Sequence, residues 1–202
     1  DVLKVVIFYL SISCLTGLFL LFRCGLSVIW LALIGGIIVL LYSKLSQKGF
    51  SEVAVGITFG PLLFEGVYFV MTGKFSFVAF IMSLSVVMFT IGLMYTHTVL
   101  DFEGDMCSHK KTLVCRLGDK KKAINGVFIV YGLGYLFTLI LAHSMHNYDI
   151  LATFVLIPLV FNLRNSLKSF ECGEDKKEFY FRLLKARNLM VFYSIILTLA
   201  IK

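Results

Sequence analysis

The chain has 202 residues, of which 59% are hydrophobic and only 15% charged, with a net charge of +7; its mean hydropathy is +0.91. A soluble domain is about 45–50% apolar, so this composition excludes a soluble globule and describes an all-α polytopic membrane helix bundle. The positive charge has no soluble domain with a basic, aromatic-laced stripe to stand on, which excludes nucleic acid as a partner; basic loops instead orient a membrane protein and touch anionic lipid.

A spanning helix needs about 20 mostly apolar residues. Seven such runs are predicted in chain order, at 2–22, 26–42, 51–72, 76–98, 123–142, 147–163 and 188–201. Gly25, Gly49 and Thr72-Gly73-Lys74 punctuate the first turns. There is no internal repeat and no low-complexity segment, so residues 1–202 read as one transmembrane domain. The segment 174–187 mixes acids and bases and reads as an amphipathic helix on the membrane surface, with Phe179, Phe181, Leu183 and Leu184 inward, or as a solvated linker. With these spans, 16 of the 19 Lys and Arg fall on one side, which makes that side cytoplasmic by the positive-inside rule and places the protein in the plasma membrane. The five cysteines, at 14, 24, 107, 115 and 172, include no pair with zinc-site spacing and read as reduced thiols.

The chemistry concentrates in Asp101-Phe-Glu-Gly-Asp105, followed by Lys110-Lys111-Thr112-Leu113 and Arg116-Leu117-Gly118. Carboxylates four residues apart share one face of a helix end. Such a pair can hold Mg²⁺ through oxygen, and Mg²⁺ commonly bridges to phosphates. Nearby Lys and Arg clamp the same phosphate oxygens. His97 lies one turn before Asp101 and points toward the same site. Glu103 points elsewhere and reads as solvated. Glu65 sits near the middle of the 51–72 run, where a carboxylate is expensive and usually functional; a base, or a hydrogen-bonding partner for a phenolic acceptor, is the expected role.

The stretch from His97 to Gly118 resembles the second aspartate-rich motif of the UbiA superfamily of membrane prenyltransferases, in the variant of the MenA-type branch. A second signature is similar to the segment between that family's two aspartate motifs: Tyr42-Ser43, Gly49-Phe50-Ser51-Glu52, Phe59-Gly60-Pro61-Leu62 and Gly66. The resemblance covers roughly residues 2 to 200. It implies a nine-helix α-bundle with two Mg²⁺-binding aspartate motifs that grip the diphosphate of a polyprenyl donor. It maps the second-motif aspartates onto Asp101 and Asp105, and the phosphate-contacting lysine onto Lys110 or Lys111. Arg116, His97 and Tyr42 become expected substrate contacts. It further implies an aromatic acceptor, 1,4-dihydroxy-2-naphthoate in the MenA-type branch, hence menaquinone biosynthesis, and no protein partner is expected. Phe59, Phe64 and Tyr68 are candidate π faces for an allylic cation.

The chain departs from the family pattern in lacking the first motif, of N-D-x-x-D type, which would precede a helix like 2–22. The expectation is an N-terminally incomplete chain carrying seven of nine spans. Within the second motif His109 replaces a Gly. Other readings are a relative using 4-hydroxybenzoate or glyceryl phosphate, an inactive truncated piece, and a small-solute transporter built around Glu65 and Gly35-Gly36.

Overall fold

In a bilayer core no water is available to backbone N–H and C=O groups, so each apolar run must satisfy its own as a helix. The structure, a computed structural model, describes residues 2–109, 111–169 and 176–201. Its helices are α1 (Val2–Cys24), α2 (Val28–Gln47), α3 (Ser51–Ile57), α4 (Leu63–Thr72), α5 (Phe77–Leu100), α6 (Phe102–Cys107), α7 (Leu113–Arg116), α8 (Lys120–Met145), α9 (Ile157–Lys168) and α10 (Lys176–Ala200). A π turn, Thr58–Leu62, joins α3 to α4, and a 3₁₀ stretch, Tyr148–Leu156, leads into α9. Joined in this way they make seven membrane-length helices. Among the described residues there is no strand. The expected all-α polytopic bundle is present.

The turns have simple local causes. Gly25, Gly49 and Gly73 all take left-handed backbone, at φ +78°, +72° and +71°, where a Cβ would be strained. Ser76 caps α5 by accepting from Ala79 N at 3.3 Å, and Asp119 caps α8 by accepting from Lys121 N at 2.8 Å. The break in the third span falls at Gly60-Pro61, where Gly60 leaves helical geometry (φ −98°, ψ −107°). Proline removes a backbone donor and clashes with the preceding turn, and the π turn absorbs the disruption.

The interior is built on α5 and α8. Phe89 of α5 is fully buried, stacks on Tyr193 of α10 with ring centroids 3.7 Å apart, and meets the Tyr131 ring edge-on at 5.3 Å. Thr138 and Tyr193 share a hydrogen bond of 2.6 Å between α8 and α10. Tyr95 donates to the Ala123 carbonyl at 2.8 Å. Two glycines allow this approach. A Cβ on Gly126 would overlap the Tyr95 hydroxyl, and one on Gly92 would overlap the Tyr131 ring. By contrast α1 presents its apolar side chains outward, Phe8, Phe19 and Phe22 among them, as a helix solvated by lipid does.

The last span differs from expectation. Residues 176–200 form one helix, not a surface segment followed by a short span at 188–201; residues 174 and 175 of the expected segment lie outside the described residues. The cause is packing onto the bundle. Arg182, 6% exposed, donates from Nε to Ser166 O at 2.7 Å and from Nη1 to Glu178 Oε2 at 2.6 Å. Phe179 meets His97, while Phe181 and Leu184, expected inward, are exposed. The fifth span starts at Lys120 rather than 123, because Asp119 caps a first turn made of three lysines.

Gly126→Val should cost about 1–3 kcal/mol through overpacking, read as a lower melting temperature in detergent. Gly132→Val, on the same helix with nothing within 4 Å, should change stability by no more than about 0.5 kcal/mol.

Candidate active site

The acidic motif sits where α5 gives way to α6. Asp101 bridges the two helices with near-helical backbone (φ −86°, ψ 3°), and Asp105 N donates to Asp101 O at 2.8 Å. The helical turn therefore continues through the junction, and Asp101 and Asp105 fall on successive turns as their spacing predicts. They differ in environment. Asp105 is 5% exposed, whereas the Asp101 side chain keeps 41% of its surface. His97 Nδ1 lies 3.1 Å from Asp101 Oδ2, so the expected (i, i+4) contact is made. Phe179 of α10 stands edge-on against the His97 ring at 5.5 Å and holds its plane.

Glu103 is not simply solvated: Lys120 Nζ lies 2.8 Å from its Oε1, and this pair ties α6 to the start of α8. Arg116 bonds the carbonyl of Lys48 and lays its guanidinium over the Phe50 ring at 5.0 Å. Gly49 rests against the carbonyl oxygen of Lys111, which a Cβ at residue 49 would overlap. The two sequence signatures, 49–52 and 101–118, are thus docked on one another. The Lys111 side chain is exposed beside this contact; Lys110 lies outside the described residues. His109, standing where the motif has Gly, adopts the left-handed backbone a glycine would take (φ +53°).

A cavity of about 440 Å³ reaches His97, one turn before Asp101. Tyr42, Ser46, Ser51, Glu52, His97 and Thr98 bring polar groups to its lining, and Leu93, Met94 and Leu183 add apolar surface. Tyr42 also borders a second cavity, of about 350 Å³ and almost wholly apolar, formed with Ile38, Val39, Ala54, Val55, Thr58 and Phe59. One tyrosine therefore borders both a chamber with several polar lining groups and an almost wholly apolar trough.

Glu52 is the residue that sequence reasoning missed as a site. It is 2% exposed, its Oε2 accepts from Ser51 Oγ at 3.0 Å, and its Oε1 is buried without a protein partner. Leaving a buried acceptor unpaired costs about 1–3 kcal/mol. In the sequence Glu52 looks like an ordinary acid in a helix's first turn, favoured there by the helix dipole. The clue was the absence of a cation one turn on, where Gly56 stands.

Glu65, in contrast, is not brought to this cluster. Its Oε2 accepts from Ser76 N at 3.1 Å, at the start of α5. Asp101 lies at the far end of that helix, roughly 35 Å away at about 1.5 Å per residue. Phe59 lines the trough beside Tyr42, but Phe64 and Tyr68 face a separate groove with Val67, Met71 and Met82.

Among the described residues no three His, Cys, Asp or Glu side chains gather as a metal cage. The half-exposed Asp101 carboxylate at this junction is of the oxygen-donor type that a hard cation takes one or two of, completing its shell with water and ligand phosphate.

Gly49→Ala and Gly118→Ala both place a Cβ on left-handed backbone, at φ +72° and +65°, but only the first meets a neighbour. Gly118→Ala should lose about 1 kcal/mol from the backbone alone, and Gly49→Ala more, since its Cβ also overlaps the Lys111 carbonyl. Gly49→Ala alone should also speed amide hydrogen exchange across residues 111–117, because the docked turn is pushed off.

No curated protein and no solved structure matches the chain significantly. The family model for the UbiA prenyltransferase family matches it over residues 3–192. The acidic helix junction, the docked second signature and all but the end residues of the seven spans fall in that range, and the chain belongs to the UbiA prenyltransferase family.

Proposed function

We propose that this membrane protein transfers a polyprenyl group from a polyprenyl diphosphate to 1,4-dihydroxy-2-naphthoate, as in menaquinone biosynthesis. The observation that carries the reading is that Tyr42 borders both a chamber reaching His97, the residue that contacts Asp101, and an almost wholly apolar trough. Such a shape suits a donor with a charged head and a hydrocarbon tail. The choice of acceptor rests on the sequence likeness to the MenA-type branch.

In this reading Asp101 and Asp105 would hold Mg²⁺, which neutralises the diphosphate and makes it a better leaving group. His97 fixes the carboxylate of Asp101 through the contact at Oδ2. Lys111, with Lys110, stabilises charge on the departing diphosphate, and Arg116 holds the 48–50 turn against this segment. Glu52 accepts a hydrogen bond from an acceptor hydroxyl at its unpartnered oxygen, raising electron density on the ring carbon that attacks the first carbon of the prenyl chain. The bond from that prenyl carbon to the diphosphate oxygen breaks as the new carbon–carbon bond forms, diphosphate departs, and the ring carbon then releases its proton, or CO₂ where it carries the carboxylate, to restore the aromatic ring. Phe59 lies beside the chain in the trough. The cation-rich ends of the spans support a cytoplasmic site in the plasma membrane.

The test is product formation by the full-length gene product in membranes, offered 1,4-dihydroxy-2-naphthoate or 4-hydroxybenzoate with a polyprenyl diphosphate. Asp101→Asn should lower turnover at least about 100-fold, and chelation of divalent cations should abolish it. Glu52→Gln should lower turnover by about 10²-fold, in the range of a lost general base, while donor KM stays near the parent value. Transfer to 4-hydroxybenzoate alone would replace the acceptor, and full activity of Glu52→Gln would remove that residue from the mechanism.

A further inference from the structure

A second polar pocket lies on the other flank of the bundle and shares no residue with the candidate active site. It is a crevice of about 380 Å³ between the start of α8 and the end of α9, lined by Lys121, Ile124, Asn125, Arg164 and Lys168. Among the described residues, three of its five lining residues are cations and none is an acid.

The crevice is organised around Arg164. Its Nε and Nη2 both donate to Asn125 Oδ1, at 3.2 and 2.5 Å, and its guanidinium lies 4.9 Å over the Phe128 ring. Phe128 in turn meets Phe161 of α9 at 4.8 Å. A guanidinium held by an amide and an aromatic face has already lost its rotamer freedom and keeps further N–H groups for an anion. Lys121 and Lys168 flank it and are exposed. Of the described acids near it, Asp119 caps the Lys121 amide and Glu103 pairs with Lys120. Immediately toward the membrane core the surface turns apolar, with Ile129 at 67% and Phe161 at 52% exposure. Cations thus sit at the border of the hydrocarbon zone, with an aromatic pair directly below them.

We infer that this crevice binds the headgroup phosphate of an anionic glycerophospholipid in the leaflet on the cation-rich side, with an acyl chain lying on Phe128 and Phe161. Each Lys or Arg near an anionic leaflet adds attraction that falls away within a Debye length. A basic recess between two spans converts that diffuse attraction into a site. The lipid, not a soluble anion, is the occupant, because the pocket is continuous with exposed apolar surface that only an acyl chain would cover. The inference is independent of the acceptor and of the transfer mechanism.

The test uses the full-length protein, delipidated in neutral detergent, with bound lipid counted by native mass spectrometry and the melting temperature followed during titration. The probes are phosphatidylglycerol, phosphatidylcholine and inorganic phosphate. Phosphatidylglycerol should be retained and should raise the melting temperature, whereas phosphatidylcholine at the same concentration should do neither. Lys121→Gln with Lys168→Gln should weaken phosphatidylglycerol binding at least about tenfold, while Lys176→Gln with Lys177→Gln, an equal loss of charge elsewhere on the same side, should leave it within about twofold. Should the first pair fail to fold, Arg164→Lys, which keeps the charge and loses the planar fork, should weaken binding in the same assay. Equal binding of both lipids, an equal shift with inorganic phosphate, or unaltered affinity in the crevice variants would each overturn the inference.

Discussion

The contact between α5 and α8 sets where everything else can go. Two helices in lipid gain nothing from hiding apolar surface from each other, since the lipid is equally apolar; close backbone approach and interhelical hydrogen bonds must supply the association. Here each helix offers a glycine to an aromatic ring of the other, Gly92 to Tyr131 and Gly126 to Tyr95. The exchange is reciprocal, so sliding either helix by one residue would drive both rings into side chains. Tyr95 adds a directional bond to Ala123 O, close to the first turn of α8. The register of this pair fixes the height at which α5 ends, and therefore the height of Asp101.

From that fixed pair the site is assembled by shorter links. Lys120 reaches Glu103 and anchors the turn between the two aspartates. Arg116 and the Lys111 carbonyl receive the 48–50 turn, which brings Glu52 and Tyr42 to the chamber that reaches His97. Phe179 and Leu183 close the chamber from α10. None of these links is strong alone. Each positions a neighbour that the α5–α8 register has already placed within reach.

Much of this was legible in the chain. The seven spans could be read because backbone satisfaction in lipid leaves only one solution for a run of about 20 apolar residues. His97 and Asp101 were legible from spacing alone. Two span limits were drawn short because charge was equated with solvent. Lys120 to Lys122 lay outside the expected fifth span, and Lys176 to Arg187 were expected as a surface helix or linker, yet both continue the spans that follow them, the first capped by Asp119 and the second pinned by Arg182 to Ser166. Glu65, singled out for its depth in a run, accepts from the Ser76 amide across the turn at Gly73. Glu52 looked like a helix-start acid, and only the three-dimensional neighbourhood reveals that one of its oxygens has nothing to bind.

The turn at Lys48–Phe50 rests on the main-chain oxygen of Lys111 and leaves the ammonium group out of the contact. Placement and chemistry are therefore carried by different atoms of one residue. The side chain at position 111 is open to exchange, for a longer, shorter or uncharged one, without moving the turn that delivers Glu52 and Tyr42. Position 49 has no such latitude, because its whole contribution is the missing Cβ. The scaffold accordingly constrains residue 49 and places no demand on the side chain of residue 111, which is held only by whatever chemistry it performs.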